Sequence, residues 1–444
     1  MEATATKVTF QKYPAYKDSG SDWSGQIPVD WESLPIRAIF EERNEKNDGP
    51  KTDFILSVTK DRGVIPYDEK GQIGNNKSED IERYKVVYPN DFVINKMNVI
   101  IGSLGMSKYF GAFSQVYLVY KPKSSRINIE YYSYIFSNPS FYKSLIRFCT
   151  GIMELRESLN KNDFKKIILP FPDFNTQTAI VRFLNDKTAK IDRAIAQKEK
   201  MISLLKERKQ IIIQNAVTKG FDPNAKMKDS GVEWIGEIPE GWEVKKVKHI
   251  SLKISKGTTP STEGRSILDE GKIRFIKAEN IQDGLITDYP EHFIDEKTNE
   301  IIGRSKLQEN DILFVIAGAT LGKVAIVSKN NLPANTNQAV SFIRPLKRAN
   351  PLYISIWLTS SLIKEIIWLQ AVQSAQPNLS MEDLGNLPFL SPSENEQTAI
   401  VTHIETQSDK IDKAIKLQEQ QIEKLKELKS TLIDSAVTGK IKVS

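Results

Sequence analysis

The chain has 444 residues, of which 40% are hydrophobic and 27% are charged, and its formal net charge is +6. This length predicts two to three domains with cores of their own, and the mild basic excess permits binding of nucleic acid through local patches. The single cysteine, Cys149, excludes a disulfide framework, and its place after an apolar run predicts a buried, inert thiol. The first residues lack the apolar core of a secretory signal, and no apolar run reaches the ~20 residues of a membrane span, so we expect a cytoplasmic protein.

The two halves of the chain repeat one frame. Residues 18–31 return as residues 229–242 with the same Asp-Ser-Gly opening, two Trp, one Gly and one Ile-Pro, a shift of 211 (229 − 18). The word Gln-Thr-Ala-Ile-Val at 177–181 returns at 397–401, a shift of 220 (397 − 177). Between these markers each half carries a long insert, and the two inserts differ. A period this long predicts two domains related by pseudo-symmetry, which favours one module used twice to recognise two different things.

The first insert, roughly residues 32–172, has a mixed pattern. Residues 85–88, 92–94 and 116–120 are rich in β-branched and aromatic residues and predict strands. Residues 129–148 predict an apolar helical stretch. We therefore expect an α+β globule that ends where a long helix begins.

A heptad pattern follows each insert. Residues 173–218 and 393–444 carry apolar residues in two seven-residue rows offset by four, which predicts two long helices with a coiled-coil seam. The apolar seam residues are Leu184, Ile191, Ile195, Ile202, Leu205 and Ile212 in the first helix and Ile404, Ile411, Ile415, Ile422, Leu425 and Leu432 in the second. Polar residues interrupt matching layers of the two copies, for example Lys198 and Gln418. Because each seam needs a partner, we expect the helices to pack on each other as an antiparallel pair; two unrelated bundle helices are the alternative.

The second half repeats this order of elements. Residues 219–231 have the composition of a linker, and a second insert follows at roughly 243–392. Its strand-like segments are 273–276, 312–316 and 324–327, and its helical stretch is 351–370. The predicted fold class is α+β, with two pseudo-symmetric α+β domains separated by two long helices that form an antiparallel coiled coil. The predicted boundaries are 1–172 for the first domain, 173–218 for its helix, 219–392 for the second domain with its linker, and 393–444 for the second helix.

Familiar catalytic motifs are weak in this chain. Residues 318–324 resemble a phosphate-binding loop, but they have three residues between the glycines instead of four and a valine after the lysine, so we expect a tight turn between strands. Residues 138–141, Asn-Pro-Ser-Phe, are similar to the tetrapeptide of amino-methyltransferases, but no glycine-rich cofactor loop accompanies them. His249, His292 and His403 lack metal-ligand spacing. The sequence therefore predicts no catalytic, cofactor or metal site.

Polar and basic side chains of the inserts are the candidate DNA contacts. Arg and Lys suit guanine edges and phosphates, and Asn and Gln suit adenine edges. The candidates are Lys60, Arg62, Asn95, Lys96, Lys108, Tyr109 and Gln115 in the first insert and Lys256, Thr258, Lys277, Asn280, Arg304, Lys323, Asn337 and Gln338 in the second. A plain solvated role is the alternative for each of them. The basic run on the first long helix is more typical of a solvated or partner-facing surface.

The repeated words resemble those of a known family. Residues 230–242 resemble the opening of a target-recognition domain in the specificity (S) subunits of type I restriction-modification systems, and residues 19–31 are a diverged twin. The Gln-x-x-Ile words that open both long helices, and Gln-Pro-Asn-Leu-Ser at 376–380, are similar to further words of this family. The last of these diverges to Gly-Ile-Met-Glu-Leu at 151–155 in the first copy. The resemblance covers nearly the whole chain in the family's order of recognition domain, spacer helix, recognition domain and spacer helix.

This resemblance implies a non-catalytic, sequence-specific DNA-binding subunit. Such a subunit would recognise a bipartite double-stranded DNA target and would dock two methyltransferase (M) subunits and restriction (R) subunits. The chain itself would bind no cofactor. S-adenosylmethionine would belong to the methyltransferase partner, and ATP and Mg²⁺ to the restriction partner. The chain would act in DNA modification and defence against foreign DNA, with no membrane partner.

Three alternatives remain open from the sequence. A coiled-coil scaffold would bind no particular duplex more tightly than a random one. A self-contained nuclease would cleave DNA when divalent metal is added to the chain alone. A specificity subunit of another restriction-system class would differ in the genes beside its own.

Overall fold

The computed structural model of the chain divides into two compact units. The first consists of residues 1–198 and 419–444, and the second of residues 199–418, so each boundary falls inside a long helix. The structure describes residues 10–60, 62–71, 78, 80–150, 158–282, 284–371 and 378–443. Each unit therefore combines one insert with parts of both helices.

The long helices are Phe174–Lys219 and Glu394–Val437, and both were predicted from the heptad pattern. Asp173 starts the first helix because its carboxylate accepts the N–H groups of Asn175 and Thr176, at 2.9 and 3.1 Å. These two donors have no partner within the helix, so the cap satisfies groups that would otherwise need water.

The predicted seam is the least exposed stripe of both helices. In the first unit, Leu184 near the start of the first helix shares one hydrophobic core with Ala436 near the end of the second. In the second unit, Ala216 near the end of the first helix shares a core with Ile404 near the start of the second. Start meets end in both units, so the pairing is antiparallel, and the fold class predicted from the sequence is confirmed.

Two ion pairs between the helices repeat at equivalent positions. Lys429 Nζ lies 2.7 Å from Asp192 Oδ1 in the first unit, and Lys209 Nζ lies 2.7 Å from Asp412 Oδ2 in the second. Each residue has its counterpart 220 positions away (429 − 209 and 412 − 192). Both pairs are partly exposed, so each contributes at most about 1 kcal/mol, and they define the register of the helices more than their stability.

Each insert is built on a four-stranded antiparallel sheet with the same strand order. In the first unit the order is Phe40–Glu42, Tyr117–Pro122, Phe92–Asn95, Leu104–Met106. In the second unit the order is Ser251–Lys256, Val340–Pro345, Ile312–Val315, Val324–Ile326. The third and fourth strands of the two orders are 220 residues apart (312 − 92 and 324 − 104). The two inserts thus share a core that their unlike sequences did not predict.

The same turn precedes the third strand of both sheets. Asn90 and Asn310 have φ angles of 72° and 71°, a left-handed conformation that Asn adopts more readily than most residues. The aspartate that follows each Asn is buried and accepts two hydrogen bonds from an arginine. These pairs are Arg43 with Asp91, at 2.7 Å from Nε, and Arg344 with Asp311, at 2.8 Å from Nε. A buried carboxylate held by a bidentate arginine fixes where the strand enters the sheet.

Shorter ladders accompany the two sheets. In the first unit they pair Tyr16–Asp18 with Gln26–Pro28, Glu32–Pro35 with Ile168–Phe171, Leu56–Thr59 with Gly63–Pro66, Lys85–Val87 with Gly111–Phe113, and Cys149–Thr150 with Ser158–Leu159. In the second unit they pair Met227–Asp229 with Glu237–Pro239, Glu243–Lys246 with Pro388–Ser391, Ile281–Gln282 with Leu285–Ile286, and Ile273–Ile276 with Phe293–Ile294 and Ala334–Thr336. Every strand predicted from the sequence is observed, with ends shifted by two residues or fewer.

The helical stretches predicted at 129–148 and 351–370 are each broken in the middle. The remaining α-helices are Ile36–Ile39, Ile129–Ser137, Pro139–Ser144 and Lys161–Phe164 in the first unit and Glu296–Ile301, Pro351–Leu358, Ser361–Ala371 and Met381–Asn386 in the second. Asn138 causes the first break, because its side chain caps the new helix by accepting the N–H of Ser140 at 3.0 Å while Pro139 occupies the first helical position.

The repeated Gln-Thr words hold each insert on its long helix. Gln177 is fully buried, its Nε2 donates to the carbonyl of Pro172 at 2.8 Å, and its Oε1 accepts the N–H of Asn128 at 2.8 Å. Gln397 makes the same pair of bonds in the second unit, at 3.0 and 2.9 Å. One amide therefore ties the start of the long helix to the loop that precedes the broken helical stretch.

No single helix among the described residues is long and apolar enough to cross a membrane. Pro351–Leu358 and Ser361–Leu369 reach that length and composition only as a pair bent by 56°. Tyr353 and Trp357 of this pair are fully buried in the core of the second unit.

Cys149 differs from its prediction. Its side chain is half-buried rather than buried, because it lies in a two-residue strand at the edge of the core, and its Sγ donates to the carbonyl of Leu145 at 3.5 Å.

Candidate nucleic-acid interface

In the second unit, candidate side chains lie together at one edge of the four-stranded sheet, where its strands end and its loops begin. Antiparallel pairing places the end of the first strand in the order, the start of the second and the hairpin between the third and fourth at this edge. We call this edge, and the corresponding edge of the first sheet, the loop end. Five candidates lie here: Lys256 at the end of the first strand and Thr258 after it, Asn337 and Gln338 before the second, and Lys323 before the fourth.

Two more candidates reach the loop end of the second sheet. Arg304 Nε donates to the hydroxyl of Thr258 at 3.2 Å. Lys277 and Asn337 follow two strands that run parallel and in register, so they lie side by side. Seven of the eight candidates in this insert therefore converge on one surface.

Asn280 is the exception. It is 1% exposed, its Oδ1 accepts the N–H of Lys277 at 3.0 Å, and its Nδ2 donates to the carbonyl of Pro290 at 2.8 Å. Both ends of its amide are used by its own loop. Asn280 therefore shapes the loop that presents Lys277 and does not offer its amide to a base, which corrects the prediction.

Two acceptors at this loop end are buried and lack partners. Asn337 Oδ1 and Thr259 Oγ1 have no hydrogen-bond partner among the described residues. The backbone is crowded here, since a Cβ on Gly257 would lie 2.1 Å from the carbonyl oxygen of Thr336. An unpaired buried polar atom costs about 1–3 kcal/mol, so an incoming donor or a water molecule that pairs with it is favoured.

The loop end of the first sheet carries three candidates. Asn95 closes the third strand, Lys96 follows it, and Gln115 precedes the second strand. Gln115 corresponds to Gln338, because each stands two residues before the second strand of its sheet. The two units thus present amide and cationic side chains at equivalent edges, but not the same ones.

The other four candidates of the first unit line a separate cleft. The cleft has a volume of about 470 Å³ and follows the edge strand of the sheet. Lys60 and Arg62 enter it from the tip of a hairpin, and Lys108 and Tyr109 from the segment after the edge strand. The guanidinium of Arg62 donates to the carbonyl and the carboxylate of Glu69. The first-insert candidates are therefore divided between two places.

The weak motifs have structural roles. Residues 318–324 form the predicted turn between two strands, with Gly318 and Gly322 at φ angles of 91° and 83°. Residues 138–141 fasten the insert to the second long helix, because Ser140 Oγ donates to Asp434 Oδ1 at 2.8 Å. Two segments that resemble the family, Gly-Ile-Met-Glu-Leu at 151–155 and the Gln-Pro at 376–377 that opens Gln-Pro-Asn-Leu-Ser, lie outside the described residues.

The histidines lie apart from each other. His292 Nε2 is 2.9 Å from Glu279 Oε1, and the ring of His403 stacks on Phe221 with 5.2 Å between centroids. Within the described residues, no group of three or more His, Cys, Asp and Glu side chains could hold a metal ion.

Three lysines near the loop end of the first sheet were not predicted as site residues: Lys85, Lys161 and Lys165. Each looks like an ordinary surface lysine in the sequence. A comparison of the two copies could have found Lys161 and Lys165. The positions 220 residues later hold the uncharged Met381 and Gly385, so these two lysines belong to the first copy alone.

The chain matches a known family in both halves. Residues 28–202 and 239–427 match the family described as the type I restriction modification DNA specificity domain. The chain belongs to this family. The two matched segments each contain one of the four-stranded sheets and one of the Gln-Thr words.

Specificity subunits of known type I restriction enzymes are similar to this chain over most of its length. The chain is 23% identical over 430 residues to the specificity subunit of type I restriction enzyme MjaVIII of Methanocaldococcus jannaschii, across 94% of each chain. It is 27% identical over 285 residues to the EcoBI specificity subunit of Escherichia coli, across 62% of this chain and 59% of that one.

Solved structures share the fold. The HsdS subunit from Thermoanaerobacter tengcongensis has a TM-score of 0.54 and 15% identity, across 94% of this chain and 98% of that one. A chain from a structure of complex assembly and conformational transition in the type I R-M system has a TM-score of 0.68 and 14% identity, across 93% and 98%.

Proposed function

We propose that the chain is the sequence-specific DNA-binding subunit of a type I restriction-modification complex and recognises a bipartite double-stranded target, one half with each unit. The observation that carries this proposal is the pair of loop ends. The two units share frame words, strand order and buried Arg–Asp pairs, yet they present different polar side chains at equivalent edges. One frame with two different surfaces suits recognition of two different sequences.

The chemistry of the loop ends suits base edges and phosphates. In the second unit, Arg304, Lys277 and Lys323 provide cations for guanine edges or phosphates, and Asn337 and Gln338 provide amides that match adenine. The first unit offers a smaller set of two amides and one lysine at its loop end, together with the basic cleft. Such a mixture is typical of a surface that positions itself on phosphates and specifies through bases.

The partners of this subunit are two methyltransferase subunits, with the long helices as their docking surface, and the restriction subunits. The faces of the helices that point away from the seam are exposed and charged, as at Lys190, Arg193 and Lys413. This chain acts without a catalytic group of its own. S-adenosylmethionine is bound by the methyltransferase partner, and ATP with Mg²⁺ by the restriction partner.

An exchange of one insert tests the division of labour. Residues 243–392 are replaced with the equivalent insert of a specificity subunit that has a different target, and the host's methylated motif is determined by methylome sequencing. We expect a split methyl-adenine motif in which one half changes and the other is kept, because each insert has its own core and its own loop end.

The reciprocal exchange of residues 32–172 is the matched control and should change the opposite half. If either exchange alters both halves of the motif together, the two units do not recognise their half-sites independently. If the parent chain directs no methylation to any motif, the specificity function itself is wrong.

A further inference from the structure

Four lysines lie near one another at the loop end of the first sheet, and two of them pair with a carboxylate. The side chain of Glu42 is 8% exposed, and its Oε2 lies 2.6 Å from Lys161 Nζ and 2.9 Å from Lys165 Nζ. Lys85 is half-buried and donates from Nζ to the carbonyl of Tyr117 at 2.9 Å. Lys96 stands at the loop end itself. We call these four residues the lysine cluster.

Backbone contacts bring the cluster together. The N–H of Leu159 donates to the carbonyl of Lys96 at 2.8 Å, which places Lys96 beside the short helix that begins at Lys161. Tyr117, whose carbonyl accepts from Lys85, pairs directly with Asn95, the residue before Lys96. The cluster therefore borders the same edge that carries Asn95 and Gln115.

The cluster has more positive than negative charge. Glu42 pairs with Lys161 and Lys165, but among the described residues neither Lys85 nor Lys96 makes an ion pair. Burial, together with the charges of Lys161 and Lys96, lowers the pKa of Lys85 against the opposite effect of Glu42. Four lysines and one glutamate leave a formal excess of three positive charges, which an anion would relieve.

The second unit builds the same frame without three of these lysines. In the second unit the position of Lys96 is taken by Ile316, whose carbonyl accepts the same bond from the N–H of Leu379 at 2.8 Å. The positions of Lys161 and Lys165 are Met381 and Gly385, in a helix that starts at the same place after its capping residue. Glu42, the cross-strand partner of Tyr120, corresponds to Ile254, the partner of Ile343. The same frame is thus built with uncharged residues.

From this juxtaposition we infer that the lysine cluster is an anion-binding site of the first unit, which we call the seat. It holds a backbone phosphate of the DNA strand that crosses the loop end. This inference rests on the proposed function, because the ligand is taken to be the DNA that the subunit recognises. Phosphate contacts position a protein on the duplex and carry no sequence information. The seat would therefore anchor the first half-site, while Gln115 and the Nδ2 of Asn95 would contact base edges. The Oδ1 of Asn95 accepts the N–H of Met97 at 3.1 Å.

The salt dependence of binding tests the seat. The logarithm of the binding constant falls with the logarithm of salt concentration by about 0.9 for each phosphate neutralised on duplex DNA. Binding of the full chain is measured across a salt series on a duplex that carries the host's methylated motif and on a scrambled duplex. For Lys85→Gln/Lys161→Gln we expect the slope to fall by about 0.9, the value for one lost phosphate contact, and the ratio between the two duplexes to stay the same.

The matched control is Lys245→Gln/Lys440→Gln, which removes from their ion pairs two lysines that lie outside the long helices and both loop ends and should leave the slope unchanged. Lys96→Gln breaks no ion pair among the described residues, so it covers the case in which the double variant does not fold, and it should lower the slope by about one. Unchanged slopes in a folded cluster variant would overturn the seat.

Two further outcomes separate the possible failures. If the wild-type chain binds both duplexes equally, the proposed function fails, while the slopes still report on the seat. If inorganic phosphate at constant ionic strength raises the melting temperature of the wild-type chain but not of the cluster variant, and the slopes do not change, the seat takes free phosphate and the inference about DNA is wrong.

Discussion

At the scale of single residues, two buried tyrosines of the first unit show what one hydroxyl contributes. Tyr131 donates to the carbonyl of Val437 at 2.7 Å, whereas the hydroxyl of Tyr120 is buried without a hydrogen-bond partner among the described residues. Burial raises the pKa of both groups above the ordinary value for tyrosine, so both remain protonated. The same group therefore stabilises the fold at one position and costs free energy at the other.

We expect Tyr131→Phe to lower the free energy of unfolding by about 1–2 kcal/mol, because it deletes a bond and leaves a buried carbonyl unpaired. Tyr120→Phe should leave that free energy unchanged or raise it by up to about 1 kcal/mol, because it removes an unpaired polar atom from the core. Urea unfolding of the two full-length variants makes each the control of the other. Equal destabilisation by both substitutions would mean that the Tyr120 hydroxyl has a partner in solution.

Residue type alone selected most of the candidate interface but could not separate amides that are already hydrogen-bonded within the fold from amides with an unpaired atom. Asn337 and Asn280 look equally suitable in the sequence, and each lies close after a strand, Asn280 at the end of the 3-10 turn Ala278–Asn280. Asn280 is excluded because three backbone groups, one of them ten residues away, occupy its side chain. Contacts of that kind depend on how the loop closes, and no local pattern in the sequence reports them.

At the scale of elements, the long helices were the most predictable part of the chain. Their seam repeats every seven residues over six turns or more, and burial follows the predicted rows in both copies. The common sheet was not predicted, because its strands are three to six residues long and share few side chains. A signal existed in the word Asn-Asp, which precedes an apolar run at 90–91 and again, 220 residues later, at 310–311.

Neighbouring residues of the first helix separate the seam from the ion pairs. Ile191 is buried in the core of the first unit, and Asp192 pairs with Lys429 on the surface. We expect Ile191→Ala to destabilise the first unit by about 2–4 kcal/mol, because it leaves a cavity, and Asp192→Ala to cost less than about 1 kcal/mol.

Hydrogen exchange read over peptides of the first unit measures both variants in the intact chain. High salt should reduce the effect of Asp192→Ala but not that of Ile191→Ala, since only the ion pair is screened. A larger loss of protection from Asp192→Ala than from Ile191→Ala would show that charge, and not the apolar seam, holds the helices together.

At the scale of the whole molecule, neither half of the chain builds a complete unit. The core of the first unit includes Leu432, Ile433, Ala436 and Val437, which come from the last residues of the second helix. The core of the second unit includes Ala216 and Val217 from the end of the first helix. The repeat in the sequence therefore does not coincide with the repeat in space, and the predicted boundaries after 172, 218 and 392 follow the elements of the chain rather than its two cores.

Truncation of the C-terminus tests this arrangement. Deletion of residues 419–444 removes four apolar side chains from the core of the first unit and leaves the carbonyl partner of Tyr131 missing. At about 1.5–3 kcal/mol for each buried Val, Leu or Ile side chain, the loss is comparable with the whole stability of a domain. We therefore expect residues 10–198 to lose protection from hydrogen exchange, although they lie more than 200 positions away in the sequence. Residues 199–418 should keep their protection, because they contain their own core and both of its helix segments.

Leu432→Ala/Ile433→Ala in the full-length chain is the milder companion variant and should lower protection in peptides of residues 10–198 to a smaller extent. Loss of protection confined to 394–418, with 10–198 unaffected, would show that the end of the second helix is not part of the first unit.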